Sequence, residues 1–209
     1  MKKRNVWVVS LLLLIGAGAI WYVDDRRQSQ HEEEYTKHLA NAVSYFETAE
    51  QQAVLILEGW EKRSPQDVAN ALLAISSALT SARIEIGSID GYFRYHGDPD
   101  LRGSTSFFTN LVDMYKLEVD SKLRETWVFT NSPDRSEDTE EYWDSLHQKI
   151  GIYKRDFGRF AKVDREVFEK RNLSDVGAHW LNWTEDLENE EVKDQYARRY
   201  GDHRSTSAD

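Results

Sequence analysis

The sequence predicts an all-helical protein: an N-terminal transmembrane helix followed by an antiparallel up-down bundle of four long helices plus a shorter C-terminal helix. Three observations support this prediction. One long uncharged apolar run lies near the start, and apolar residues later recur at alternating spacings of three and four. The only prolines, Pro65, Pro99 and Pro133, fall between these periodic segments. Such spacing places apolar side chains on one helix face, and proline marks helix boundaries.

The apolar run has the properties of a membrane anchor. Residues 1–5 form a basic tail, and residues 6–23 contain no charged side chain. A helix of that length spans about 27 Å, close to the roughly 30 Å hydrocarbon layer. Trp7 lies at one end and Trp21 and Tyr22 at the other, where headgroup regions favour amphipathic rings. We therefore predict a signal-anchor helix with these three rings as its membrane-interface anchors.

A cleaved secretory signal is the alternative interpretation of this segment. Ala17, Gly18 and Ala19 supply the small residues of a cleavage site. However, the apolar run continues to Val23, whereas a cleavage site normally gives way to polar sequence. We favour the retained anchor in the plasma membrane, with the N-terminus cytoplasmic and residues 24–200 extracytoplasmic. Cleavage would instead release a secreted domain.

Composition excludes several classes of partner and chemistry. All 37 Asp and Glu lie after the anchor with 24 of the 27 Lys and Arg, so the domain carries a net charge of −13. Such a surface repels nucleic-acid phosphates, and we expect no nucleic-acid partner. The chain has no cysteine, which excludes disulfides, thiol catalysis and thiolate metal sites. A cysteine-free exported domain fits a bacterial cell envelope that does not rely on disulfides.

The first two bundle helices are predicted over residues 28–60 and 65–96. Ser64, Pro65 and Asp67 supply an N-cap, a first-position proline and an acidic third residue for the second helix. Each helix carries one apolar seam. The first seam is Leu39, Ala42, Phe46, Ala49, Ala53, Ile56 and Trp60, and the second is Val68, Leu72, Ile75, Leu79, Ala82, Ile86, Ile89 and Phe93.

Two more long helices and a short one complete the predicted bundle. The third, residues 107–127, is apolar but irregular, and short turns should make neighbouring helices antiparallel. Residues 201–209 are small and polar, and we expect a disordered tail. The fourth helix has the seam Trp143, Leu146, Ile150, Tyr153, Phe157 and Phe160, and the last carries Val176, Trp180, Trp183 and Leu187.

Chain direction predicts a contact site at the membrane end of the bundle. The second and fourth helices return towards the bilayer, which brings aromatic and basic side chains there. They could contact headgroups or a membrane-embedded partner, or the rings could simply close the end of the core. These residues are Tyr92, Arg94, Tyr95, His96, Arg102, Trp180 and Trp183.

Two glycines in the fourth helix indicate a second contact. Gly151 and Gly158 are one heptad apart and therefore share a helix face. Each should cost about 1 kcal/mol relative to alanine, so a close approach of another chain segment would explain them. The predicted fifth helix and a second protein are the two candidates for that segment.

No motif indicates catalysis, a metal or a cofactor. His31, Glu34 and His38 share a helix face but lie in a charged, solvated run. Asp144 and His147 form only half of a di-iron pattern. The sequence lacks the phosphate-binding glycine loop and the nucleophile and metalloprotease motifs. We therefore predict no catalytic residues, no metal and no cofactor.

These observations lead to three hypotheses for function. The first is a membrane-anchored, non-catalytic scaffold or accessory subunit that contacts the bilayer through residues 6–23 and an envelope protein through its bundle. The second is a ligand-binding or sensory bundle with a pocket between helices three to five; in outline alone, the architecture resembles bacterial sensor ectodomains. The third is an enzyme with an active site that lacks a recognisable sequence motif.

Overall fold

The computed structural model of the chain describes residue 22 and residues 33–95, 103–131, 137–170, 180 and 187–200. These residues are helical apart from short turns, and no strand occurs among them. The all-helical class is therefore confirmed. The helices are α1 (residues 33–57), α2 (Pro65–Ser88), α3 (Asp90–Tyr95), α4 (Ser104–Asn131), α5 (Glu137–Lys170) and α6 (Glu190–Tyr200), with a 3-10 turn at Trp60–Lys62 between α1 and α2.

The start of α2 is the capping box that the sequence predicts. The Ser64 hydroxyl accepts a hydrogen bond from the Asp67 backbone N–H at 3.2 Å, and the Asp67 carboxylate accepts one from the Ser64 backbone N–H at 3.1 Å. Pro65 occupies the first turn, where its missing N–H leaves no hydrogen bond unmade. These bonds satisfy two of the otherwise unpaired N–H groups at the helix start.

The predicted second helix is divided at Ile89. α2 ends at Ser88 and α3 begins at Asp90, whereas the apolar seam predicts one continuous helix. The Ile89 N–H donates to the Ile86 carbonyl at 3.0 Å, a tighter turn than the α-helix makes. The side chain of Ile89 nevertheless stays buried, so the break does not interrupt the seam.

The predicted seams form the core. All eight seam residues of α2 and α3 are buried, as are the first six of α1 and the last five of α5. Rings from three helices meet at its centre: Phe160 of α5 lies 5.2 Å from Phe46 of α1 and 5.4 Å from Phe108 of α4, between ring centroids. Tyr115 of α4 contacts Phe160 as well, at 5.6 Å.

Two polar contacts define the register of α2 against α4. The Ser76 hydroxyl donates to Asp120 at 2.5 Å, and Arg83 pairs with Asp113 at 2.6 Å. Residue numbers rise along α2 while they fall along α4, so these two helices run in opposite directions. Leu117 of α4 lies between the two contacts.

The irregular third segment is a regular helix, α4, and its start needs a glycine. Gly103 has a φ of 93°, a conformation that glycine adopts without the steric penalty of a Cβ. In the predicted last helix, Trp180 is helical, whereas Val176 and Trp183 lie outside the described residues. Leu187 is not helical, and α6 begins at Glu190 with Asn189 as its cap.

The predicted membrane segment lies outside the described residues, except for Tyr22. Among the described residues one stretch, Pro65–Arg94, is long and apolar enough to cross a membrane. Its seam is buried against other helices, and core helices of soluble bundles share this length and composition. This stretch is therefore the core helix of the bundle and not the predicted anchor.

We expect Phe160→Ala to lower the free energy of unfolding by about 3–5 kcal/mol, because it leaves a cavity at the aromatic centre. Thermal and denaturant unfolding followed by circular dichroism would measure the loss. Leu117→Ala is the matched control, because this α4 side chain is 61% exposed and its truncation should change stability by less than about 0.5 kcal/mol. Equal losses for the two variants would contradict this core.

Candidate interaction surface

The composition of α2 differs from that of the other long helices. Only three of its 24 residues are charged, namely Asp67, Arg83 and Glu85, whereas 16 of the 34 residues of α5 are charged. A helix that contacts water on one side normally carries charges there. The composition therefore indicates that α2 is adapted to contact on more than its core side.

A second series of residues with alternating spacings of four and three runs along the outward side of α2. We call this series the α2 outer face. None of its residues is charged, although the chain as a whole has a net charge of −10. Two of them are large and apolar, Leu73 at 53% exposure and Ile84 at 59%. The face consists of Gln66, Asn70, Leu73, Ser77, Thr80, Ile84 and Gly87.

Exposed apolar residues of α4 extend this surface. Leu117 is 61% exposed and Val128 is 63% exposed. Since Leu117 lies between the Ser76–Asp120 and Arg83–Asp113 contacts, it is level with the middle of the α2 outer face. The described side chains of α5 and α6 include no large apolar residue with comparable exposure. Apart from Tyr22, the exposed large apolar residues in the described part of the chain thus lie on α1, α2 and α4, with Leu55 of α1 at 48% exposure.

The opposite side of α4 carries a buried polar network instead. The Asp156 carboxylate accepts hydrogen bonds from the Tyr115 hydroxyl at 2.6 Å and from the backbone N–H groups of Glu188 and Asn189 at 2.9 and 3.1 Å. Burial raises the pKa of the Asp156 carboxyl, and these bonds and the Arg159 charge offset the rise only in part. Burial also raises the pKa of Tyr115, so its hydroxyl keeps the proton that it donates.

A neighbouring ion pair strengthens the same junction. Lys149 of α5 lies 2.6 Å from a Glu118 oxygen of α4 and 3.2 Å from Glu191 of α6. Burial lowers the pKa of Lys149, but the Glu118 and Glu191 carboxylates together raise it by more, so the ammonium stays charged. The Asn189 amide donates to Glu118 at 2.6 Å. These buried groups therefore attach α6 to α4 and α5, a structural role.

The structure describes three of the seven residues that we predicted at the membrane end. Trp180 is a core residue, 2% exposed, and its ring stacks on Phe108 at 4.9 Å. Tyr92 is half-buried and its ring lies 5.5 Å from Tyr35. Arg94 is exposed and pairs with Asp90. His96, Arg102, Trp183 and the Tyr95 side chain lie outside the description, and the contact role of the cluster stays a prediction.

The two predicted notch glycines have different surroundings. A Cβ on Gly158 would lie 2.8 Å from a carboxylate oxygen of Glu50 on α1, so this glycine permits close approach of α1. A Cβ on Gly151 would meet only Arg155 of its own helix, at 3.5 Å. The close neighbour of Gly158 is thus α1, and a second protein at these glycines stays a prediction.

Of the predicted membrane-interface anchors, Tyr22 is exposed, and Trp7 and Trp21 lie outside the described residues.

Other chemistry has little support in the described part of the chain. No three His, Asp or Glu side chains come together there as a metal site. His38 instead pairs with Glu85 at 2.6 Å, and His31 is not described. A groove of about 330 Å³ lies between α1 and α2, and the predicted pocket between helices three to five stays a prediction. Arg63 at its edge donates a hydrogen bond to the Leu55 carbonyl.

Sequence reasoning missed the α2 outer face and the polar network. The outer face has a sequence signal, because its seven positions repeat at the spacing of the core seam and lack charge. The network has none, since Asp156 and Asn189 are far apart in the chain and polar residues of these types are usually solvated.

We expect Asp156→Asn to destabilise the fold by about 1–3 kcal/mol, because an amide cannot accept all three of the hydrogen bonds and leaves buried donors unpaired. Unfolding midpoints would measure the effect. Asp113→Asn is the matched control, since its pair with Arg83 is partly exposed and should contribute less than about 1 kcal/mol. A larger loss for the control would contradict the role of the network.

Asp156 also predicts a pH dependence. Because its pKa is raised in the folded state, the folded protein keeps a proton that the unfolded chain has lost above about pH 4. This contribution to stability is present below the unfolded pKa and falls as pH rises through the folded pKa. We expect the fall in the wild type and not in Asp156→Asn, measured as unfolding midpoints from pH 4 to 7. Parallel pH profiles would refute the prediction.

Comparison with known proteins adds no family assignment. No protein-family model matches this sequence, and neither a curated protein nor a solved structure is significantly similar to it.

Proposed function

We propose that this chain is a single-pass, membrane-anchored helical bundle that acts as a non-catalytic scaffold or accessory subunit of the cell envelope through protein–protein contacts. The observation that carries the proposal is the uncharged α2 outer face with Leu73 and Ile84 exposed on it. Exposed apolar residues that cluster on a soluble surface mark interaction sites. A covering protein gives this face the apolar surroundings that its residues favour.

The proposed bundle is an up-down arrangement of α1, α2, α4 and α5 with antiparallel neighbours. The contact of His38 with Glu85 joins α1 to α2, and α2 and α4 have the opposed register described above. The α4–α5 contacts Tyr115–Asp156 and Thr126–Tyr142 have the same opposed order. Short connections favour this topology in helical bundles.

The proposed anchor is residues 6–23, with the N-terminus cytoplasmic and residues 24–200 extracytoplasmic. Its support is the uncharged run bordered by aromatic rings. The proposed partners are the bilayer and an envelope protein. The non-catalytic role is supported by Asp156, Lys149 and Glu118, because the hydrogen bonds and the ion pair of these buried groups attach α6 to α5 and α4, which is a structural role.

Single cysteines test the proposal, because the natural chain has none. Ser77→Cys places a thiol on the α2 outer face, and Ser145→Cys places one on the exposed side of α5 as the matched control. In intact cells we expect a membrane-impermeant maleimide to label Ser145→Cys strongly and Ser77→Cys several-fold less. Both should label equally after detergent disperses the membranes, and both proteins should sediment with membranes beforehand.

Three outcomes of this labelling experiment would each contradict a different part of the proposal. Equal labelling of the two variants in intact cells would refute contact through the α2 outer face. Labelling only after lysis would refute the extracytoplasmic orientation. Labelled protein in the soluble fraction would refute the retained anchor and favour cleavage after residues 17–19.

A further inference from the structure

We propose that the protein covering the α2 outer face is a second copy of this chain, whose α2 pairs with the first in parallel and in register about a twofold axis. This inference rests on the proposed function, which requires a protein on this face. It goes further by naming the partner, the axis and the residues that meet.

The charge distribution favours a second copy. In a twofold interface the same surface faces itself, so like charges oppose each other wherever the surface is charged. With a net charge of −10, two copies repel through most surfaces. The α2 outer face avoids this repulsion because it has no charge. The flanking charges are already engaged, since Arg83 pairs with Asp113 and Asp67 binds Ser64.

The spacing favours a parallel, in-register pair. Positions that alternate by four and three residues stay on the side that faces a parallel helix in a two-stranded contact. In register, Leu73 meets Leu73 of the second copy and Ile84 meets Ile84. Ser77 and Thr80 lie between them and are small enough for the helices to approach closely. Asn70 meets its own counterpart, and an asparagine pair at a seam position specifies parallel dimers.

Anchoring supports the same orientation. Two chains inserted in one bilayer by the proposed anchor leave it in the same direction, so their α2 helices are parallel when the domains meet side by side. An antiparallel pair would place the two anchors at opposite ends of the dimer. Confinement to one membrane also raises the effective concentration of the second copy.

The size of the surface predicts a weak dimer. From Gln66 to Gly87 the helix is about 32 Å long and presents a strip about 10 Å wide, or roughly 300–350 Å². A standard interface takes about 800 Å² from each partner, so α2 alone supplies less than half of it. Leu117 and Val128 widen the contact on the α4 side. We therefore expect association that depends on protein concentration in the membrane.

The test is oxidative cross-linking of the full-length chain in reconstituted lipid vesicles. Ser77→Cys and Gly87→Cys lie on the α2 outer face, and a side chain on Gly87 meets no atom within 4 Å. We expect both variants to form a covalent dimer of twice the chain mass under mild oxidation. The exposed control Ser145→Cys should form at least tenfold less dimer.

Two results would overturn this proposal in different ways, and the maleimide experiment separates both from a failure of the scaffold proposal. Cross-linking at Ser77→Cys without Gly87→Cys would overturn the parallel register, because antiparallel helices that cross near Ser77 separate the two Gly87 positions by about 30 Å. No excess dimer at either position would overturn the second copy as partner. If Ser77→Cys were still protected from maleimide in native membranes, the scaffold proposal would stand with a different protein on this face.

A matched pair of glutamate variants gives an independent test. Ser77→Glu would bring two carboxylates together at the twofold axis, whereas Ser145→Glu adds the same charge on α5. We expect Ser77→Glu to raise the dissociation constant in vesicles about tenfold, which corresponds to about 1.4 kcal/mol, and Ser145→Glu to leave it unchanged. Equal dissociation constants with unchanged unfolding temperatures would overturn the dimer.

Discussion

One layer of aromatic rings joins the helices, and Phe160 is at its centre. Phe46, Phe108 and Tyr115 surround this ring from α1 and α4, and Trp180 stacks on the far side of Phe108. Tyr115 then extends the layer into the polar network, because its hydroxyl binds Asp156. The position of α6 therefore depends on the packing of these rings, which holds Tyr115 in place. It also depends on the hydrogen bonds of Asp156, which Tyr115 and the residues before α6 share.

The α5–α6 side of the molecule and the α2 side differ in how they treat charge. At the junction of α4, α5 and α6, buried ionisable groups bind one another or hydrogen-bond donors, as in the contacts of Lys149 with Glu118 and of Tyr115 with Asp156. Along the α2 outer face there is no charged residue, and the apolar side chains of Leu73 and Ile84 are more than half exposed. The first arrangement stabilises one conformation of the domain. The second leaves apolar surface in contact with water, which is why we propose that it takes part in contact between molecules.

The sequence predicts those parts of the fold that repeat. The seams of α1, α2 and α5 are buried as expected, since their spacing follows from helix geometry, and the cap at Ser64 follows from local hydrogen bonds. The break at Ile89 was not predictable, because that residue continues the seam. Nor was the start of α6, since Asn189 and Asp156 act together only after α5 has folded. The arrangement of the membrane-end residues beyond Trp180, Tyr92 and Arg94 depends on segments outside the described residues.

The scarcity of charge in α2 has a consequence for biosynthesis. Pro65–Arg94 has the length and apolarity of a membrane span, although in the folded domain it is a core helix. A chain that passes through the insertion machinery can be retained in the lipid whenever such a stretch is apolar enough. Arg83 and Glu85 oppose that outcome, since an acidic or basic residue near the middle of a span disfavours insertion by about 2.5–3.5 kcal/mol on the insertion scale. In a chain anchored as proposed, these two residues thus disfavour a second crossing of the bilayer.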